Sequence, residues 1–387
     1  MPDTPPPPPP PTKPETHAAD APGGQAVDEG RGRIFPCEEC GADLEFNIGA
    51  QRLKCPFCGH ETVIELPADA ELHEQNFREI LARIEERRTS GAADEPDQSE
   101  VRCESCGAGV VFVGTLTSWE CPYCGSPIQR EHVHTAGPRI PVDGLLAFRI
   151  LREQSQANLA EWVRSRWFAP NEFRQRGAQG KFNGVYLPFW TFDALTANRY
   201  SGQRGEHYFV TVGTGKDQRT EMRTRWYPAS GAFRRFFDDM VVLAAKGLRR
   251  SLMQNLEPWP LEQCTPFKQE FLAGYLARTY DVPLGDGFVE AKERVEAAIE
   301  AEVRERIGGD VQQIDAIQTR YGAITFKHLL LPTWLLAYRY RDKTYQVMVN
   351  AVTGEVQGER PYSWMKIALF ALALAAVAAT VALLTNR

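Results

Sequence analysis

Eight of the nine cysteines fall into two sets with one internal spacing. Cys37/Cys40 and Cys55/Cys58 form the first, Cys103/Cys106 and Cys121/Cys124 the second, with fourteen residues between the pairs in both. A Cys-x-x-Cys turn presents two thiolates to one ion, and two such turns complete the tetrahedral shell that zinc prefers. Glycine follows the second cysteine of every pair (Gly41, Gly59, Gly107, Gly125), where a tight knuckle calls for positive φ. Strand-like residues lie between the pairs: Leu44 to Ile48 in the first set, Val110 to Val113 and Trp119 in the second. The pattern predicts two zinc ribbons, each two knuckles joined by a short β-hairpin around one Zn2+. Four thiolates leave no open position for water, so both ions are expected to be structural. Iron accepts the same ligands, so spacing does not fix the metal. The alternatives are disulfides, which the missing secretory signal pattern opposes, and redox pairs, which would open a helix in a βαβ unit. His60 and His132 are not needed as ligands, and Cys264 reads as a core thiol.

No constellation for catalysis stands out. Gly213-Thr-Gly-Lys216 departs from a phosphate loop, which needs glycine at 210 and Ser or Thr at 217, where the chain has Val210 and Asp217. Neither G-x-S-x-G nor H-E-x-x-H occurs. Asp238 and Asp239 are adjacent and would point apart. Together with Asp193 they are the acidic set that a cation, or an unrecognised enzyme chemistry, would use.

Charge is unevenly spread. Residues 31–130 hold ten Lys/Arg and eighteen Asp/Glu, a net of −8 that two four-thiolate zinc sites would carry to about −12. Phosphate contacts need the opposite sign. Residues 131–260 hold nineteen Lys/Arg and twelve Asp/Glu, a net of +7, with basic and aromatic residues interleaved at 162–167 and 219–226. A solvated face, anionic headgroups, the chain's own acidic module and nucleic acid are the readings of that stretch.

The elements that must carry these residues can be read coarsely. Residues 1–32, with seven consecutive prolines, cannot bury a core and predict a disordered tail. Ribbons are expected at 33–65 and 101–130. Between them, at 66–100, Phe77, Ile80, Leu81 and Ile84 predict an amphipathic helix over about 68–88, followed by an acidic linker. An α+β body with antiparallel strands is expected at 131–362. Helices are predicted at 151–167, after Thr265-Pro266, and through Val295, Ile299, Val303 and Ile307 up to Gly308-Gly309. Strands are predicted at 185–192, 334–340 and 345–349, and a hairpin at 208–226. Leu187-Pro-Phe-Trp190 and Leu331-Pro-Thr-Trp334 hint at duplication. The fold class is thus multi-domain: two small β-rich ribbons, the body, and one transmembrane helix at 363–387.

That helix rests on Ile367 to Leu384, eighteen residues without a charge, about 27 Å as a helix. Trp364 and Lys366 suit the interface, and Ala371, Ala375 and Ala379 form a small-residue stripe. A tail anchor is expected, in a bacterial inner membrane, with the bulk of the chain facing the cytoplasm.

Several motifs together carry a family resemblance: the doubled cysteine sets, Phe168-Ala-Pro170, Gly184 to Asp193, Phe236-Phe-Asp-Asp239, Phe326-Lys-His328 and Gly358-Glu-Arg-Pro361. The chain resembles bacterial membrane-anchored proteins with transcription-factor-IIB-type zinc ribbons, often labelled primosomal protein N′ (replication factor Y) superfamily II helicase. The resemblance implies the fold and the metal but no motor, since the phosphate loop is missing. Two functions are expected from it and from the residues: a membrane-tethered adaptor that binds another protein, or a DNA- or RNA-binding protein.

Overall fold

The computed structural model describes residues 25–26, 33–66, 71–90, 99–102, 109–112, 118–120, 127–129, 133–135, 140–176, 181–213, 215, 218–340 and 343–385. The first cysteine set sits on three short antiparallel strands, β1 (Glu45–Asn47), β2 (Arg52–Lys54) and β3 (Glu61–Thr62). Leu44, Phe46, Ile48 and Leu53 turn inward and join one apolar cluster with Phe148, Tyr186, Phe271 and Trp334 of the body. Phe46 packs its ring 5.3 Å from Phe271, and its N–H donates to Ala273 O at 3.0 Å. Gln51 Nε2 donates to Phe148 O at 2.9 Å. The module is therefore docked on the body.

Strand β4 (Gln75–Asn76) leads into helix α1 (Phe77–Ser90). The helix starts later than apolar spacing suggests because Asn76 caps it, accepting from the N–H groups of Arg78 and Glu79 at 3.1 and 3.2 Å. Further on, Ser99–Arg102 pairs with Gly109–Phe112 and with Val133–Thr135, and Ser118–Glu120 pairs with Pro127–Gln129. Cys103, Cys106, Cys121, Cys124 and His132 lie outside the described residues, as do the seven prolines, most of the acidic linker and Lys216 of the phosphate-loop-like stretch.

The body is mostly β-sheet. Its elements are β5 (Gly144–Leu145), α2 (Arg152–Ser165), α3 (Asn171–Arg176), β6 (Lys181–Val212), β7 (Arg219–Leu243), α4 (Arg250–Gln254), β8 (Thr265–Pro266), β9 (Leu276–Ala277), α5 (Leu284–Ile307), β10 (Val311–Tyr340), β11 (Lys343–Asn350) and β12 (Val356–Gly358). The sheet runs β7-β6-β10-β5-β8, with β4 and β11 also on β10, β9 on β6 and β12 on β11. Pairing is antiparallel except for β5 with β10 and β6 with β9. Leu187 and Leu331, the first residues of the two Leu-Pro segments, face each other across β6 and β10.

The hairpin expected at 208–226 is the tip of a far longer ribbon. Beyond Asp193, the outer parts of β6, β7 and β10 leave the body as a three-stranded arm, with β6 continuing about 60 Å to Val212. At the root of the arm the register shifts on both sides of Asp193, and Asp239 and Ala323 adopt φ of 45° and 46°. Helix α5 straddles this break. Leu284, Phe288 and Ala291 pack with Trp190, Phe192 and Phe326 of the body, whereas Val295, Ile299, Val303 and Ile307 pack on Phe233 and Phe237 of the arm. Gly287 lets the helix lie close, since a Cβ there would meet Trp190 at 2.6 Å. The helix ends at Ile307 with Gly308 at φ 67°, as the Gly-Gly pair predicts.

One prediction fails. Thr265-Pro266 does not open a helix: it pairs with Gly144–Leu145, and a 3-10 turn follows at Gln269–Leu272. Phe267 N–H donates to Asp143 O at 3.0 Å, so sheet pairing captures the backbone that a helix would have used. Helix α6 (Trp364–Thr385) closes the described chain, with its large apolar side chains exposed.

Candidate metal centre

The Sγ atoms of Cys37, Cys40, Cys55 and Cys58 all lie within 4.8 Å of one another, Cys37–Cys58 and Cys40–Cys55 at 3.5 Å each. Around one ion at about 2.3 Å, tetrahedral thiolates stand roughly 3.8 Å apart, so the donor set fits a four-thiolate metal. The backbone builds the two turns. Gly41 N–H closes on Cys37 O at 2.8 Å and Gly59 N–H on Cys55 O at 3.0 Å, with φ of 72° and 78° at the two glycines. Cys37 and Cys55 are buried; Cys40 and Cys58 face outward. The Cys58 backbone N–H points at Cys55 sulfur and, against some desolvation, holds its thiol down to about 6. Cys58 goes the other way: although the His60 backbone N–H favours its thiolate, desolvation and the neighbouring thiols push it up to about 12, so a metal entering the set would have to displace thiol protons. Phe57, between Cys55 and Cys58, is 81% exposed, the most exposed large apolar side chain described. Cys264 stands apart, its thiol pushed up to about 12 by burial.

The acidic set separates. Asp238 is exposed, while Asp193 is 1% exposed and accepts from Asp239 N–H at 2.6 Å. The cation between the carboxylates is Lys327, with Nζ 2.9 Å from Asp239, 3.3 Å from Glu74 and 3.9 Å from Asp193. Thr325 Oγ1 donates to Glu74 and Asp193. Burial raises the Asp193 carboxyl to about 6, and the Lys327 ammonium stays charged because the carboxylates outweigh its desolvation. Glu74 and Thr325 gave no sequence signal, and Lys327 stood out only as the middle residue of Phe326-Lys-His328, because only the arm root brings the three together. The cluster ties α1's leading strand to both sides of the register break.

Strand alternation gives the arm two unlike faces. Even-numbered residues of β6 from Ala194 to Gly202 lie under α5. On the other face Leu195, Phe236, Arg199, Arg234, Arg320, Trp226, Phe209 and Met222 are all exposed. Arg234 and Arg320 both sit opposite Ala197, from strands on either side, and Arg199 is the next residue on that face. Asp315, at the bulge in β10, and Asp238, two residues past Phe236, are exposed acids beside that face.

A four-cysteine cluster, a mostly β body and a helix long and apolar enough to cross a membrane define the class of molecule. Among known proteins, Uncharacterized protein YdjG of Bacillus subtilis is 25% identical over 341 residues, spanning 86% of this chain and 92% of its own. No family model and no solved structure matches.

Proposed function

We propose that this chain is a membrane-tethered adaptor: α6 anchors it in a bacterial inner membrane, its bulk faces the cytoplasm, zinc holds its cysteine modules as ribbons, and it binds another protein. The observation that carries the reading is the uncovered apolar surface. Phe209, Met222, Trp226 and Phe236 stand on one open sheet face, and Phe57 caps the metal turn. Phe209, Met222 and Trp226 gather near the tip of the arm and Phe236 stands about 30 Å nearer its root, so large apolar side chains recur along one bare sheet face, as suits a protein partner. The four-thiolate site is closed to substrate, which supports a structural ion. The test is photocrosslinking from Phe236 and from Phe57 in full-length protein kept in membranes. A discrete protein adduct that Phe209→Ser or Trp226→Ser abolishes is expected; adducts that ignore these changes would sink the reading.

Nucleic-acid binding is the second reading, favoured by one observation. Arg199, Arg234 and Arg320 converge on the same face beside Phe236 without an ion-pair partner among the described residues. Guanidinium groups next to exposed rings suit single strands, through phosphate contact and base stacking. Retention of single-stranded DNA or RNA at low salt, weakening steeply as salt rises, would move this reading ahead.

A further inference from the structure

Helix α6 does not leave the body freely. Ser363 N–H donates to Phe168 O at 2.8 Å. Lys366 Nζ donates to Trp167 O at 3.1 Å, and to Ala169 O and Asn171 Oδ1 at 2.8 Å each. All four acceptors belong to the loop joining α2 to α3, or to the first residue after it. Further along the helix, Phe370 meets the rings of Trp167 at 5.9 Å and Phe168 at 5.4 Å. Phe370 lies four residues past Lys366, about 6 Å along the axis. A bilayer that takes up the apolar part of α6 keeps the Lys366 ammonium at headgroup level, because a charge deeper in hydrocarbon is costly. The cage that holds Lys366 must then sit at the same level, and Trp167, against Phe370, lies a turn deeper. Trp167 meets Phe168 and Phe370 edge-on and is still 55% exposed, so much of its ring is bare. Tyr362 and Trp364, 61% and 76% exposed, stand at the root of the helix.

We propose that the α2–α3 loop, Arg166-Trp-Phe-Ala-Pro170, is a second membrane-contact element that enters an anionic bilayer surface beside the first turns of α6. The proposal rests on α6 spanning a bilayer. Trp and Phe are suited to this depth, since an amphipathic ring gains from the interface and a phenyl ring from the acyl boundary. Charge on the body side completes the match. Arg164 lies in the last turn of α2, Arg174 Nη2 donates to Arg164 O at 3.0 Å, and Arg360 is close enough to Arg166 to disfavour its charge, after desolvation. Arg360 also covers Tyr362 at 5.2 Å. Four arginines thus flank the loop and Lys366 is caged against it, with Glu172 and Glu355 the acids named beside them. Like charges gathered beside an apolar wedge fit phosphate headgroups. Two contacts, a span and a wedge, fix the direction in which the body points, where a lone span would let it swivel.

The test is lipid photocrosslinking from full-length protein in vesicles of about three parts phosphatidylcholine to one part phosphatidylglycerol, an anionic surface of moderate charge. A benzophenone-bearing residue is placed in turn at Trp167, at Leu372 within α6, and at Trp226 on the arm. Lipid adducts at 167 and 372 and none at 226 are expected, with the yield at 167 falling several-fold in pure phosphatidylcholine. An adduct at 372 without one at 167 overturns the wedge and leaves the anchor standing. No adduct at 372 overturns the span and the wedge with it. An unchanged yield at 167 in neutral lipid removes the anionic component of the proposal.

Discussion

The cysteine module and the arm are both three-stranded antiparallel sheets, but they are stabilised in opposite ways. The module's strands are two or three residues long, too short to hold a ladder. It relies on four sulfurs and on a body surface that buries Phe46 and Leu53. In the arm β6 pairs β7 without a break from Ala194 to Val212 and β10 from Leu195 to Gly205 with one bulge, and α5 covers one face. Its ladder is self-sufficient, so the other face is left free for contact. Short sheets must be crosslinked and docked; long ones can be left half bare.

Breaking the metal site should have the largest effect. Metal removal, or Cys55→Ser, takes away a ligand set that contributes on the order of 10 kcal/mol in isolated zinc modules. Because Cys37, Cys55, Phe46 and Leu53 share a cluster with Phe148 and Trp334, the body should melt roughly 10 °C lower as well. Calorimetry with metal content measured on the same sample checks this; an unchanged body transition would mean the module is a separate bead. Next comes Ile299→Ala on the covered face of the arm, expected to cost about 2–5 kcal/mol. Hydrogen exchange should show lost protection at 311–322 before 329–336.

Smaller is the pH effect at the arm root. Asp193 has its folded value raised to about 6 from 3.8, so the folded state binds the extra proton between those values. Its contribution is full below pH 4 and lost as pH rises through 6. Asp193→Asn should remove that slope, a difference of roughly 2 kcal/mol in wild type minus variant between pH 4 and 7. Denaturant titrations at several pH values would show it, and parallel curves would refute it. Least disruptive is Phe236→Ser on the open face: stability within about 0.5 kcal/mol of wild type, with partner crosslinking lost.

Much of this was legible locally and little of it globally. The first cysteine set could be placed by spacing alone, because two residues between ligands force the knuckle and its glycine. Helix α5 was legible because Val295, Ile299, Val303 and Ile307 recur every turn. The long strands were not, since Pro188, Gly184 and Gly202 interrupt β6 with residues that usually end strands. Nothing local says that Phe46 meets Phe271, or that Lys327 fills the space between Asp193 and Asp239. Those contacts join residues whose separation in sequence leaves no periodicity to read. Thr265-Pro266 misled for the same reason: its local signal is a helix start, and distant pairing overrides it.

The docking of the cysteine module also sets an order of events during synthesis. Phe46 precedes Phe271 by 225 residues, so at roughly 5–20 residues per second its main ring partner is made some 10–50 s later. Until then Leu44, Phe46 and Leu53 have only the earlier-made part of their cluster, such as Phe148 and Tyr186, to pack on, and a metal on the four cysteines would help hold the module's shape. A chain that captures metal early should therefore aggregate less during synthesis than one made in the presence of a chelator.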